Sequence, residues 1–334
     1  MQTRLGEILK VLKDNGFEVY HADKWAMVRG NCFEVLQHLP ENSVHSIVTD
    51  PPYSIEEFSW VNLEKLKLGR GGVWRIPPKI GGYERSPLPR FTIYDKDHYR
   101  KMYGYFYEWG KLAYRVLVPG GHVFIATTQL FLHVVASALF DAGFEVRGVI
   151  ARLVATLRGG FRPKGAEEEF KDVSTMPRSH WEPWILLRKP LEEGLTIAEN
   201  LRKWKAGGLR RNPDGTPFID VIPSETTPKE EKKIAPHPTL KPQSFMRRLV
   251  WVALPLGDGI ILDPFAGAGS TIAAAVALGY EAIGIEIVPE YYSMAIEVIP
   301  KLASLKIDPW KIEKEIRKHG KSKIKALMEF VLSP

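Results

Sequence analysis

Apolar residues recur at two periods along the chain, and these periods predict the order of helices and strands. Spacings of three and four residues, as in Leu5, Ile8, Leu9 and Leu12, are typical of a helix that buries one face. Runs of β-branched and aromatic residues predict buried strands. We predict helices over residues 3–15, 32–39, 99–115, 131–142, 242–254, 270–278 and 289–305. We predict strands over residues 25–29, 44–49, 122–126, 145–153, 184–188, 259–262 and 282–287.

The order of these elements predicts an α/β fold with a mostly parallel sheet flanked by helices. Two long segments, residues 57–97 and 158–236, interrupt the pattern with charged residues, glycine and proline. Loops of this length in a compact domain are usually functional or disordered. We divide the chain into an N-terminal helical extension (1–26), a core domain (27–300) and a Lys-rich C-terminal helical hairpin (301–334).

Composition excludes several classes of protein. The chain has 334 residues, of which 45% are hydrophobic and 25% charged, as in ordinary globular proteins. Its one cysteine, Cys32, excludes a disulfide scaffold and a cluster of Cys-x-x-Cys type. The nine histidines show no metal-ligand spacing, so no metal site is predicted. The net charge of +7 leans mildly toward polyanionic partners.

The longest uncharged stretch, residues 116–140, is long enough to span a bilayer. A Pro-Gly-Gly sequence at 119–121 interrupts it, so we interpret it as a turn, a buried strand and a buried helix. The N-terminus lacks the apolar run of a signal peptide. We therefore expect an intracellular protein with no membrane partner.

A glycine-rich segment at 260–270 has the pattern of a strand, a glycine turn and a helix start. Glycines let a ligand approach the backbone, and the helix start supplies free N–H donors. Glu286 ends the next predicted strand, where an acidic residue suits a ribose diol. The alternatives are a plain strand-to-helix turn and a dinucleotide site. Asp263 argues against the dinucleotide, because its carboxylate repels a pyrophosphate and attracts an ammonium.

A second candidate site, Thr-Asp-Pro-Pro-Tyr at 49–53, follows a predicted buried strand. Open α/β sheets bind their ligands at this end of their strands. The alternative is a proline-stiffened turn with a packed tyrosine.

Four motifs together resemble those of one protein family. Asp-Pro-Pro-Tyr at 50–53 and Asp-Pro-Phe-x-Gly-x-Gly at 263–269 resemble the motifs of DNA methyltransferases that act on exocyclic amino groups. Gly-Asn-Cys-x-x-x-Leu at 30–36 and His-Pro-Thr-Leu-Lys-Pro at 237–242 are also similar to family motifs. The tyrosine motif precedes the glycine motif, which is the circularly permuted order of the family's β group. The resemblance covers about residues 28–299.

The resemblance implies a Rossmann-like, S-adenosylmethionine-dependent methyltransferase fold and double-stranded DNA as substrate. It implies that the Asp50 carboxylate and the Pro51 carbonyl accept the N–H groups of the target amine. It also implies that Tyr53 stacks on a base flipped out of the duplex. The implied catalytic residues are Asp50, Pro51, Pro52 and Tyr53. The implied cofactor-binding residues are Asn31, Cys32, Asp50, Thr239, Lys241, Asp263, Phe265, Gly267, Gly269, Ser270 and Glu286.

Within this set the resemblance gives some residues individual roles. Asp263 is expected to face the amino acid moiety of the cofactor and Glu286 its ribose, with Thr239 and Lys241 at the methionine carboxylate. Asn31 stands where the family usually has an aspartate near the cofactor's adenine, and an amide oxygen still accepts a hydrogen bond there. The alternative is that Asn31 only caps the following helix, in which case that assignment fails.

The expected target is adenine N6, because family members that act on cytosine N4 more often have serine at the position of Asp50. Cytosine N4 is the first alternative, and RNA or protein glutamine is the second. A catalytically inactive nucleic-acid-binding module with the same fold is an alternative from another class. Cytosine C5 methylation is not expected, because it needs a nucleophilic thiol that usually follows a proline. Cys32 follows Asn31 instead and is typical of a buried small residue.

The basic segments 57–97 and 158–236 are candidates for DNA contact, and a solvated surface is the alternative. The C-terminal hairpin is interpreted as a packed helix pair with a solvated face. The resemblance further implies a homodimer and a cognate restriction endonuclease that acts on the same site. The expected location is cytoplasmic and nucleoid-associated.

Overall fold

The computed structural model describes residues 4–52, 79–80, 83–84, 96–154, 160–237, 239–312 and 314. Its helices are α1 (Arg4–Asp14), α2 (Cys32–His38), α3 (Lys96–Val116), α4 (Leu132–Asp141), α5 (Ile197–Trp204), α6 (Lys229–Ile234), α7 (Gln243–Ala253), α8 (Ser270–Ala277) and α9 (Pro289–Ala303). Its strands are β1 (Glu18–Ala22), β2 (Trp25–Arg29), β3 (Val44–Thr49), β4 (Lys79–Ile80), β5 (Tyr83–Glu84), β6 (Leu117–Ala126), β7 (Glu145–Leu153), β8 (Trp181–Arg188), β9 (Val221–Pro223), β10 (Ile260–Asp263) and β11 (Glu281–Glu286). The predicted alternation of helices and strands is confirmed.

In the described part of the chain, one large sheet has the strand order β1-β2-β11-β10-β3-β6-β8-β7-β9. The strands from β2 to β6 in this order run parallel to one another. β8 is antiparallel to both of its neighbours, and β1 is antiparallel to β2 at the edge. The predicted α/β fold with a mostly parallel sheet is therefore confirmed. β4 and β5 pair with each other in a separate short hairpin.

Helices cover both faces of the sheet, which explains why its central strands are apolar at nearly every position. Along β10, Ile260 and Leu262 belong to one core cluster, whereas Ile261 belongs to the other. The first cluster lies under α1 to α4 and contains Trp109. The second lies under α7, α8 and α9 and contains Phe245. The site described below lies at the edge where the parallel strands end.

The N-terminal region packs on this same framework. α1 buries Leu5, Ile8, Leu9 and Leu12, the four residues whose spacing predicted a helix. β1 extends the sheet at its edge, and the sequence pattern did not predict it because its residues are mostly exposed. The domain boundaries proposed from the sequence stay predictions. Most of the proposed C-terminal hairpin lies outside the described residues.

Two regions differ from the expectations. β6 begins five residues before the predicted strand, because Gly120 adopts φ +80° and the Pro-Gly-Gly sequence continues the strand as an irregularity. The polar segment 158–236 contains α5, β9 and α6 in addition to β8, where a strand was predicted. Most of the segment 57–97 lies outside the described residues.

Among the described residues, no helix is both long enough and apolar enough to cross a bilayer.

Candidate active site

Three acidic residues lie at the carboxyl ends of three neighbouring parallel strands. Asp50 directly follows β3, Asp263 ends β10, and Glu286 ends β11. Parallel strands present these ends along the same edge of a sheet, which is where open α/β folds bind ligands. The structure therefore brings the two sequence motifs together at one site.

Asp263 is buried, and its position is fixed by groups from two strands. Its Oδ1 accepts a 2.6 Å hydrogen bond from the Thr49 hydroxyl at the end of β3 and a 3.1 Å bond from the backbone N–H of Phe265. Burial raises the pKa of Asp263 to about 6, although hydrogen bonds from Thr49 and Thr271 oppose this rise. A carboxyl group held in this way favours a cation as its ligand, because a nearby positive charge offsets the cost of ionisation.

The glycine turn after β10 requires glycine at two positions. Gly267 and Gly269 have φ values of +52° and +79°, in the left-handed region that disfavours other residues. A Cβ on Gly267 would lie 3.3 Å from the His237 ring, and one on Gly269 would lie 2.5 Å from the Ile299 side chain. Gly269 is the N-cap of α8, so Ser270 begins the helix. The close approach of His237 and Ile299 therefore disfavours a side chain at both positions.

Glu286 connects this turn to the end of β11. Its Oε2 accepts a 2.7 Å hydrogen bond from the backbone N–H of Gly267, and its Oε1 accepts a 2.8 Å bond from that of Val288. Burial raises the pKa of Glu286, and these backbone N–H groups oppose the rise. Glu286 thus holds the turn in place, and each carboxylate oxygen still has capacity for a further donor.

The His-Pro-Thr box lies against the glycine turn. The His237 ring faces Gly267 and makes an edge-to-face contact with Tyr291, with ring centroids 4.4 Å apart. Its Nδ1 accepts a 3.3 Å hydrogen bond from the backbone N–H of Thr239. Burial lowers the pKa of His237 to about 4, so the ring is neutral at physiological pH. Two motifs far apart in the sequence are thus in contact, while Pro238 lies outside the described residues.

Lys241 contacts residues of the chain that the sequence did not indicate. Its Nζ donates a hydrogen bond to Oδ2 of Asp50 and lies 3.6 Å from Oε2 of Glu182 on β8. Nη1 of Arg152 on β7 lies 3.4 Å from the same Glu182 oxygen. No residue pattern indicated Glu182 or Arg152, because their contact with the site depends on the order of strands in the sheet. The resemblance implied that the Lys241 ammonium binds the methionine carboxylate of the cofactor. In the structure this ammonium lies between the carboxylates of Asp50 and Glu182.

Asn31 and Cys32 begin α2 beside the same edge. The Asn31 Oδ1 accepts a 2.9 Å hydrogen bond from the backbone N–H of Phe33 and so caps the helix. The same oxygen has a second lone pair that can accept a further donor. The backbone N–H of Gly30 donates to the carbonyl of Glu286, which places Asn31 close to β11. Cys32 is buried, and this burial raises the pKa of its thiol to about 12. A thiol in this environment is a packing residue rather than a nucleophile.

The remaining candidate site residues lie around this edge of the sheet or outside the described residues. Pro51 is buried and Pro52 is exposed. Phe265 packs on the first core cluster, with its ring centroid 6.1 Å from that of Trp109. Tyr53 lies outside the described residues. The described part of segment 158–236 presents exposed cations, including Lys164 and Lys171.

Comparison with known proteins places this arrangement among DNA-modifying enzymes. Residues 44–297 match a family model whose description is DNA methylase. The Type II methyltransferase M.HindIII of Haemophilus influenzae (strain ATCC 51907 / DSM 11121 / KW20 / Rd) is 27% identical over 277 residues, which cover 76% of this chain and 88% of that protein.

Solved structures share the fold. The crystal structure of TTHA0409 from Thermus thermophilus, complexed with S-adenosyl-L-methionine, superposes with a TM-score of 0.50 and 22% identity. That match covers 83% of this chain and 95% of TTHA0409. PvuII DNA methyltransferase, which is cytosine-N4-specific, matches with a TM-score of 0.53 and 15% identity over 93% of this chain and 94% of its own.

Proposed function

Since the chain belongs to the DNA methylase family and is a DNA methyltransferase, we propose that it methylates the exocyclic N6 amino group of adenine in double-stranded DNA. The observation that carries this proposal is the hydrogen bond from Thr49 to Asp263, which joins the Asp-Pro-Pro motif to the glycine turn. This contact supports a site for an amine beside a site for the cofactor. Methylation of cytosine N4 is the alternative, because the family acts on both amino groups.

The cofactor is S-adenosyl-L-methionine, and the residues at the edge of the sheet fit it. When bound, it supplies a methyl group on a positively charged sulfonium. The buried Asp263 carboxyl suits its ammonium group, and the glycine turn with Glu286 suits its ribose. We assign to the same site Asn31, Cys32, Asp50, Thr239, Lys241, Phe265, Gly267, Gly269 and Ser270.

Asp50 acts on the nucleophile. The lone pair of a base amino group is delocalised into the ring, so the nitrogen is a weak nucleophile. Hydrogen bonds from its N–H groups to the Asp50 carboxylate and the Pro51 carbonyl localise electron density on the nitrogen and orient it. As the new N–CH₃ bond forms, the bond between the methyl group and the sulfonium would break and leave its electron pair on sulfur. The nitrogen becomes positively charged, and the Asp50 carboxylate stabilises this charge. One amino proton then leaves to Asp50 and passes to solvent.

Mass spectrometry of nucleosides tests this function. Unmethylated DNA is incubated with the purified protein and S-adenosylmethionine and then digested. N6-methyladenine is the expected product, whereas N4-methylcytosine keeps the mechanism and corrects the base. If neither product forms although calorimetry shows that the cofactor binds, the proposal is contradicted. That result supports a binding module with the same fold.

We also propose that the protein forms a homodimer and works in the cytoplasm at the nucleoid beside a cognate restriction endonuclease. Light scattering at working concentration tests the dimer, and a monomer mass contradicts it. An endonuclease that cleaves unmethylated DNA but spares the product of this enzyme is the expected partner. Fluorescence microscopy of a tagged chain tests the location, and a signal that does not overlap the nucleoid contradicts it.

A further inference from the structure

Four charged side chains of alternating sign extend inward from the amine site. They are Asp50, Lys241, Glu182 and Arg152, and each contacts the next. The side chains of Asp50 and Glu182 are each 17% exposed, that of Lys241 is 10% exposed and that of Arg152 is 5% exposed. Charges with so little access to water are tolerated because each has an opposite charge beside it.

The inner end of this row, at Arg152 and Glu182, is held by hydrogen bonds to other residues of the protein. The Arg152 guanidinium donates to the Ser224 hydroxyl at 3.0 Å and to the Glu225 carbonyl at 2.9 Å. It also lies 5.0 Å from the centroid of the Phe245 ring. Glu182 in turn accepts a 2.8 Å hydrogen bond from Nε1 of Trp184. The carboxylate that faces Lys241 is therefore fixed by the sheet itself.

We propose that Glu182 is a positioning residue for methyl transfer, which holds the Lys241 ammonium so that Lys241 orients the Asp50 carboxylate. This inference rests on the proposed function of Asp50. Without the charge of Glu182, Lys241 pairs more closely with Asp50 and draws its carboxylate away from the target amine. Glu182 does not need to touch the base or the cofactor for this effect.

The substitution Glu182→Gln tests the role, because glutamine keeps the size and an acceptor oxygen for Trp184 but removes the charge. We expect kcat to fall about 10- to 100-fold, as for a misplaced reacting group, with KM for DNA within about twofold of wild type. Glu182→Asp retains the charge one methylene farther from Lys241. It is expected to recover part of kcat.

The matched control is Glu145→Gln. Glu145 also lies on the β7–β8 pair and also meets an arginine, Nη2 of Arg188 at 2.7 Å, but it lies at the opposite end of those strands from Glu182. We expect this variant to keep the wild-type kcat. Circular dichroism and thermal unfolding of all variants report whether the fold is kept.

Each outcome bears on a separate claim. Wild-type kcat in Glu182→Gln, or an equal loss in Glu145→Gln, overturns the role of Glu182 and leaves the proposed function standing. If Glu182→Gln does not fold, a wild-type kcat in folded Glu182→Asp overturns the role, and a reduced kcat at unchanged KM supports it. A wild-type protein that methylates no DNA overturns the proposed function, and the role of Glu182 with it.

Discussion

The hydroxyl of Thr49 donates a 2.6 Å hydrogen bond to the carboxyl group of Asp263, although 214 positions separate the two residues in the chain. The bond is buried and lies between neighbouring parallel strands. Asp50, which follows Thr49 directly, is thereby kept at a set position relative to the glycine turn. We therefore expect the proposed amine site and the proposed cofactor site to behave as one unit.

Replacing Thr49 tests this unit. Thr49→Val keeps the shape of the side chain but leaves the buried Asp263 carboxyl without one donor, so we expect a loss of about 1–3 kcal/mol in the free energy of unfolding. Affinity for S-adenosylmethionine falls as well, because the unpaired carboxyl ionises less readily. Urea denaturation and calorimetry measure both effects. Thr49→Ser, which keeps the hydroxyl, is the control, and equal behaviour of the two variants contradicts the prediction.

The raised pKa of Asp263 predicts how stability depends on pH. An unfolded aspartate ionises near its ordinary value of 3.8, whereas Asp263 in the folded protein ionises at about 6. Between these values the folded state binds more protons, so this group lowers the free energy of unfolding as pH rises from about 4 to 6. Asp263→Asn removes this contribution. The difference between wild type and variant in urea midpoints across this range isolates it from other groups.

The same group predicts how cofactor binding depends on pH. An ammonium binds the ionised carboxylate, so affinity for S-adenosylmethionine is expected to rise as pH increases through about 6. In Asp263→Asn the affinity is weaker by about 10- to 100-fold and loses this pH dependence, because a charged hydrogen bond contributes about 1.5–3 kcal/mol. Calorimetry from pH 5 to 8 measures it. If the affinity of Asp263→Asn keeps the wild-type dependence on pH, the ammonium of the cofactor does not bind at Asp263.

Gly267→Ala probes the turn, and Gly279→Ala is its control. Both glycines have positive φ, which costs alanine about 1–2 kcal/mol, but a Cβ at Gly279 meets no atom within 4 Å, whereas one at Gly267 contacts the His237 ring. We expect Gly267→Ala to be less stable than Gly279→Ala by about 1 kcal/mol and to lose cofactor affinity. Thermal unfolding and calorimetry compare them. Equal losses in both measurements mean that the contact with His237 has no effect.

Asp50→Ala removes the acceptor for the target amine. We expect kcat to fall by at least about 100-fold, as when a group that stabilises transition-state charge is deleted. The fold stays intact, because Lys241 keeps Glu182 within 3.6 Å. Quantitative nucleoside analysis and circular dichroism measure these effects. Near-normal turnover in the folded variant overturns the mechanism.

Lys164 and Lys171 test the contact of segment 158–236 with DNA. Both are exposed, and replacing both with alanine is expected to raise KM for DNA at unchanged kcat. The slope of log affinity against log salt falls by about 0.9 for each lost phosphate contact. Exposed Lys10 and Lys13 on α1 serve as the control pair. If the slope of log affinity against log salt is the same for the two double variants, DNA does not contact Lys164 and Lys171.

Much of the fold follows from local sequence patterns. β3 has the bounds that its β-branched run predicts, because a strand buried on both faces leaves a clear signal. The sequence indicates the carboxylates of Asp263 and Glu286 because each lies at the end of a buried strand. The glycine turn was found because its conformation requires glycine at Gly267 and Gly269.

Other features depend on contacts that no local pattern contains. α5 buries only Asn200 and lies in a polar stretch of the chain, so no helix was predicted there. A capping box between Thr196 and Glu199 stabilises its start, and the Asn200 amide donates to the carbonyls of Pro119 and Ala206. The row from Asp50 to Arg152 requires β7 and β8 to pair beside β6. Only the folded sheet determines that order.

The strand order has a consequence for how the protein is made. β2 and β3 leave the ribosome early, but the two central strands that lie between them, β10 and β11, belong to the last part of the chain. Until then, each early strand has one edge without its final neighbour, and such edges promote wrong pairing between chains. The late strands complete the sheet by pairing between β2 and β3. A chain interrupted before β10 lacks Asp263 and Glu286, and with them two of the three carboxylates at the candidate site.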